Sequence, residues 1–124
     1  MWFIYKLTSN SPEKKLVSTA FYMDQIDDII LYAGSYTNFC KRAARLGDML
    51  YEVKYECGAR IYKVYGNLWV LMNSEGHQLK LGSFEECEDH LFCHDAEGDV
   101  SRKSMHYKDQ FENCTYTAEW KEEE

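Results

Sequence analysis

Residues 51–57 constrain the fold most, because Tyr51, Val53, Tyr55 and Cys57 alternate strictly with Glu52, Lys54 and Glu56. A period of two is that of a half-buried β-strand, not of a helix. Turn signals then recur at short intervals: Gly58-Ala59, Gly66-Asn67 and residues 73–76 separate further runs at 60–65, at 68–72 and one ending near Leu81. Strands this close in sequence pair antiparallel, since a parallel crossover needs a dozen or more residues. The middle of the chain therefore predicts an antiparallel meander.

Elements of both kinds flank it. The bulky residues Trp2, Phe3, Ile4, Tyr5 and Leu7, the turn-forming Ser9-Asn10-Ser11-Pro12 and a second run at 16–19 read as a hairpin. Asp24 offers a cap to a helix carrying Ile26, Ile29, Ile30 and Ala33 at helical spacing. The spacing continues through Phe39, Cys40 and Ala44 towards Gly47, with Gly34-Ser35 as a place to bend or split. Its charges suit the helix dipole, Asp27 and Asp28 early and Lys41, Arg42 and Arg45 late. Ser83-Phe84-Glu85-Glu86 has the capping-box form, opening a second helix that turns Phe84, Cys87 and Leu91 inward and ends between 95 and 98. A polar linker then leads to an edge strand in which Cys114, Tyr116, Ala118 and Trp120 alternate with polar residues. The expected fold is α+β: an antiparallel sheet of five to seven strands with two helices, in the order β-β-α-β-β-β-β-α-β. A single domain over residues 1–120 and a frayed acidic tail at 121–124 complete the expectation. Residues 2–32 and 69–92 share a strand, turn, strand, acidic-helix pattern. A duplicated ββα unit accounts for this, and so does the commonness of ββα arrangements.

The chain has 124 residues, 45% of them apolar and one of them proline, a composition that folds and has room for one core. No apolar run approaches the roughly 20 residues a spanning helix needs. The N-terminus has no basic region before an apolar stretch, so the expected location is the cytoplasm. The five cysteines (Cys40, Cys57, Cys87, Cys93, Cys114) are odd in number, irregularly spaced and expected to stay reduced. In such a compartment the acceptor-like Asn113-Cys114-Thr115 is a coincidence.

Cys87, His90, Cys93 and His94 are the residues most suggestive of chemistry, being four potential zinc ligands within eight positions. At about 100° per residue Cys87, His90 and His94 share a broad helix face while Cys93 points away, so one helix cannot supply a tetrahedral set. Cys57, His106 or Cys114 would have to complete it. A metal-supported or cysteine-dependent enzyme around Cys87, His90 and His94 is the alternative reading; packing of Cys87 in the core is the simpler one, with no metal and no cofactor. Neither a serine elbow, nor a phosphate-cradling glycine loop, nor a His-Glu-x-x-His motif is present.

Charge is distributed unevenly. After Gly82 thirteen acidic residues face four basic ones, whereas the first 82 residues hold eight acids and ten bases. Glu85, Glu86, Glu88, Asp89, Asp95, Glu97, Asp99 and Glu119 make an acidic surface if the second helix and the last strand lie side by side, with Tyr116 and Trp120 as aromatic anchors. Such a surface repels nucleic acid and attracts basic partners. The basic residues Lys41, Arg42, Arg45, Lys54, Arg60 and Lys63 lie near Tyr51, Tyr55, Tyr62 and Tyr65, but a chain of net charge −7 is not expected to bind nucleic acid directly.

Through the segment Ser83-Phe84-Glu85-Glu86-Cys87-Glu88-Asp89 and the ending Glu119-Trp120-Lys121-Glu122-Glu123-Glu124, the chain resembles the small acidic anti-defence proteins of phages and mobile elements, anti-CRISPR proteins among them. The resemblance implies a stoichiometric inhibitor without an active site, a DNA mimic blocking the basic surface of a host nuclease or CRISPR effector.

Overall fold

The computed structural model describes residues 1–8, 12–33, 39, 46–94, 99–109 and 113–122. It is α+β, with two helices longer than a single turn and eight antiparallel strands among those residues, more than the five to seven expected. The additional strand lies where a polar linker was expected. The chain divides into two compact units, one built from Met1–Leu50 with Met105–Glu124, the other from Tyr51–Ser104.

In the first unit the strand order is β2-β1-β8-β7, with β1 at Trp2–Thr8, β2 at Lys15–Ala20, β7 at Arg102–Asp109 and β8 at Cys114–Trp120. Residues 102–104 of β7 belong to the second unit. The expected hairpin is formed by β1 and β2. Ile4 faces Ser18 and Tyr5 faces Leu16, so Val17 is bulged out of the ladder. The other edge of β1 pairs with β8 along its whole length, from Trp2 opposite Trp120 to Thr8 opposite Cys114. Alternation then places Trp2, Ile4, Tyr116 and Ala118 on one buried face. Helix α1 (Gln25–Tyr32) adds Ile26 and Ile30, both fully buried and one turn apart. Burial of side chains of this size contributes about 1.5–3 kcal/mol each.

Helix α1 departs from expectation at its start, while its end falls just before Gly34-Ser35, the pair expected to bend or split it. Asp24 makes no side-chain cap bond, having itself taken helical angles (φ −69°, ψ −16°). Gln25 instead braces the turn that precedes the helix, its Oε1 accepting from the backbone N–H groups of Phe21 and Tyr22 at 3.1 and 3.2 Å. The helix ends at Tyr32, since Ala33 is extended (ψ 133°). Its expected continuation through Gly34-Ser35, Cys40 and Ala44, with Lys41, Arg42 and Arg45, lies outside the described residues, although a single helical turn follows at Leu46–Met49.

The second unit contains the meander, in the order β3-β4-β5-β6: β3 (Leu50–Tyr55), β4 (Arg60–Tyr65), β5 (Leu68–Met72) and β6 (Gln78–Gly82). Val53 pairs with Ile61 and Ile61 with Leu71, making a cross-strand row with no exposed surface. Helix α2 (Phe84–His94) covers this row with Cys87 and Leu91, both buried. In both units a β-hairpin precedes a helix.

β7 was missed because its alternation is interrupted by charge. Met105 and Tyr107 are buried as a strand requires, but the next inward residue is Asp109, also buried, and Lys103 and Lys108 are interleaved.

Candidate functional site

The candidate site is built on α2. Its start is fixed by the capping box: the Glu86 N–H donates to Ser83 Oγ at 3.1 Å and the Ser83 N–H to Glu86 Oε1 at 3.3 Å. With Cys87 and Leu91 facing the sheet, helical geometry turns Glu85, Asp89, Phe92 and Cys93 outward, and all four are exposed. Phe92 keeps 44% of its surface exposed and sets its ring edge-on to Tyr55, 6.5 Å between centroids. Sequence reasoning overlooked Phe92, although its spacing of three from Asp89 and seven from Glu85 puts it on their stripe.

Glu88, also a predicted partner-binding residue, points the other way. Its carboxylate accepts from Arg102 Nε at 3.1 Å and from Arg102 Nη2 at 3.0 Å, and from the Tyr55 hydroxyl at 2.5 Å. Only 17% of the Glu88 side chain and 21% of that of Arg102 remain exposed. The Arg102 guanidinium lies 5.3 Å from the Phe84 ring, which meets Trp69 edge-on at 5.0 Å. This network ties α2 to β3 and β7, and it spends the Glu88 charge inside the unit.

Burial, followed by the hydrogen bond to Glu88 and its charge, pushes the Tyr55 phenol well above its ordinary value of 10.0. The unfolded chain releases that proton near pH 10 while the folded chain retains it. Unfolding thus liberates a proton above pH 10, and the contribution of Tyr55 is complete below pH 10 and lost as pH rises beyond it. Unfolding by urea should accordingly become easier above pH 10, and this slope should be shallower in Tyr55→Phe.

The other predicted residues are scattered. Asp99 is exposed and shapes a turn, accepting from the Ser101 N–H at 2.9 Å; its bonds to Ser101 hold its carboxyl below the usual range. Asp95 and Glu97 lie outside the described residues. Glu119 belongs to the first unit, where Lys14 Nζ is 3.0 Å from its Oε1. Tyr116 has no exposed surface and so presents nothing to a partner. Trp120 is 38% exposed and packs edge-on against Trp2 at 5.6 Å. Among the described residues, therefore, the predicted acids brought onto one exposed face are Glu85, Glu86 and Asp89.

Among the described residues the cysteine and histidine cluster does not assemble either. Cys87 is buried, its Sγ donating to the Trp69 carbonyl at 3.5 Å, and burial raises its thiol above the ordinary range. A protonated, enclosed thiol is a poor nucleophile. Cys93 is exposed on the opposite side of the helix, Cys57 is half-buried and Cys114 buried, and the His94 side chain is outside the described residues. No three His, Cys, Asp or Glu side chains among the described residues converge as metal ligands do. Among the described residues no helix is long and apolar enough to cross a membrane.

No family model matches the chain, and neither a curated protein nor a solved structure matches it.

Proposed function

We propose that this chain is a non-enzymatic binding protein that docks the outward face of α2 on a basic protein surface. The observation that carries the reading is the exposed stripe of Glu85 and Asp89 around the half-exposed ring of Phe92, flanked by Glu86. Interfaces concentrate their energy in an aromatic anchor, while surrounding charge selects the partner and speeds encounter. The second unit carries ten acidic against six basic residues, and Glu88 is already neutralised by Arg102, so the outward carboxylates dominate what a partner meets. The partner we propose is a defence nuclease or CRISPR effector in the host cytoplasm, whose nucleic-acid-binding surface the chain occupies as a stoichiometric inhibitor. Closure of the Tyr55, Glu88 and Arg102 network, whose groups bond to one another, also favours binding over catalysis.

Competition with DNA for purified guide-loaded effectors and other defence nucleases tests this. The wild-type chain should displace DNA at stoichiometric concentration and lose its hold as salt rises. Glu85→Lys/Asp89→Lys and Phe92→Ala should each weaken displacement at least tenfold. Undiminished displacement by the charge-reversed variant would sink the α2 interface, and failure of the wild-type chain against every nuclease would remove the inhibitor reading.

A further inference from the structure

The two units repeat one plan. Within the second unit neighbouring strands run β3-β4-β5-β6 and α2 follows β6; within the first they run β7-β8-β1-β2 and α1 follows β2. Trp2 pairs with Ala20, the last residue of β2, as Trp69 pairs with Gly82, the last residue of β6. Both tryptophans are buried, and so are Ile4 and Leu71 two positions along their strands. The turn before each helix is braced alike: Gln25 Oε1 accepts from the Tyr22 N–H at 3.2 Å, and Glu86 Oε1 accepts from the Ser83 N–H at 3.3 Å, three positions back in each case. Directly after the bracing residue come the buried Ile26 and Cys87, and one turn later the buried Ile30 and Leu91. The two helices therefore correspond position by position, Asp24 to Glu85 and Asp28 to Asp89. Asp27 holds the place of Glu88 and is not counted on the outward face.

Asp24 and Asp28 lie one turn apart on the side of α1 turned away from Ile26 and Ile30, and both are exposed. Among the described residues neither forms an ion pair. Tyr32, four positions beyond Asp28, completes the stripe. Its ring stacks on Phe39 with 5.0 Å between centroids and still keeps 69% of its surface exposed, more than Phe92 does. A ring held in place before docking loses little freedom when it docks. Phe21, Tyr22 and Met23, which lead into the helix, are exposed as well. No lysine or arginine occurs between Lys15 and Lys41, so no basic neighbour in sequence dilutes the charge. Exposed carboxylates beside an aromatic ring fit a basic protein surface that also offers an apolar side chain. We propose that the outward face of α1 is a second docking surface for such a partner, with Asp24 and Asp28 selecting its lysines and arginines and Tyr32 as the anchor. The class of partner rests on the reading of α2 given above; the surface rests on Asp24, Asp28 and Tyr32.

NMR titration of the isotope-labelled full chain with a synthetic helical peptide, lysine on one face and leucine on the other, tests both helices at once. The peptide should shift the amide signals of Asp24, Asp28 and Tyr32 saturably, and the response should fade as salt rises. Asp24→Asn/Asp28→Asn and Tyr32→Ala should each weaken the α1 response about fivefold or more. Unchanged α2 signals and an unchanged unfolding temperature in these variants show that the fold is intact. A peptide of equal charge with serine in place of leucine should bind α1 about fivefold more weakly, because it lacks a group for Tyr32 to hold. Equal binding of the two peptides would reduce the contact to unselective attraction and overturn the surface. A response confined to Glu85, Asp89 and Phe92 would overturn the α1 surface and leave the α2 interface standing, whereas a response confined to α1 would uphold the new surface and remove the α2 interface. Silence at both helices would overturn both. Shifts of the α1 signals with rising chain concentration, in the absence of peptide, would assign the face to a second copy of the chain and overturn the proposal.

Discussion

Arg102→Met should lower the stability of the protein by about 3 kcal/mol, because breaking a largely buried ion pair leaves its partner charge without compensation. The guanidinium gives Glu88 two hydrogen bonds, and the Tyr55 hydroxyl donates to the same carboxylate. It also covers the Phe84 ring, a contact that adds about 0.5–1 kcal/mol in partly exposed settings. Methionine keeps much of the apolar stem, so the loss reports charge and hydrogen bonding more than packing. A second substitution distinguishes a stranded charge from a cavity. Glu88→Leu/Arg102→Met should recover most of the deficit, since well-packed apolar replacements of buried pairs are often neutral or better. Urea unfolding of the two single variants and the double variant gives the coupling energy directly. A cost under about 1 kcal/mol for Arg102→Met would place the pair with ordinary surface ion pairs and remove its role in anchoring α2.

Gly58→Ala should cost a similar amount, about 3 kcal/mol, from two separable sources. Gly58 has φ +93°, a conformation L-residues avoid at about 1–2 kcal/mol, and its N–H donates to the Tyr55 carbonyl at 3.0 Å to close the β3–β4 turn. A Cβ there would lie 2.8 Å from the Ser74 Cβ, an overlap that adds about 1–3 kcal/mol unless the backbone shifts. Ser74 cannot easily give way. It sits in a turn clamped by Asn73, whose Oδ1 accepts from the N–H groups of Glu75 and His77 at 3.0 and 2.9 Å. Gly58→Ala/Ser74→Gly should recover the steric part and leave the conformational part. Gly66 has φ +55°, and a methyl group added there would meet nothing within 4 Å. Gly66→Ala therefore serves as the conformational control and should cost about 1 kcal/mol. Equal losses for the Gly58 and Gly66 variants would mean that the contact with Ser74 does not matter.

Local signals in the sequence were reliable where a few neighbouring residues decide the structure. The Ser83 and Glu86 capping box forms reciprocally as its spacing predicts, and the alternation from Tyr51 becomes β3 as far as Tyr55, with Val53 buried against Ile61 and Tyr55 bonded to Glu88 of α2. Signals failed where a distant partner decides. Glu88 reads as one more solvated acid until the fold brings Arg102 beside it, fourteen positions along the chain. β7 reads as a linker because the buried Asp109 breaks the apolar alternation of Met105 and Tyr107. Tyr116 and Trp120 differ by four positions in one strand, yet one is sealed and the other half-open, since Trp120 sits at the strand's end. The acidic surface was legible as composition, but its membership was not: the fold keeps Glu85, Glu86 and Asp89 outward, spends Glu88 internally and gives Glu119 to Lys14.

The pairing of β1 with β8 governs the order in which the chain can assemble as it is synthesised. Residues 51–104 are contiguous, so the four-stranded meander of the second unit and the helix packed on it are all present once α2 has emerged from the ribosome. β1 is made earlier but must wait for β8, because Trp2 pairs with Trp120, and the Met1 carbonyl accepts from the Lys121 N–H at 3.0 Å. Contacts of such long sequence separation close slowly, since the loop entropy is spent before they form. The nascent chain therefore carries β1 with one unsatisfied edge until residues 114–120 are made, and during that interval the hairpin with β2, bulged at Val17, is the ladder that holds it.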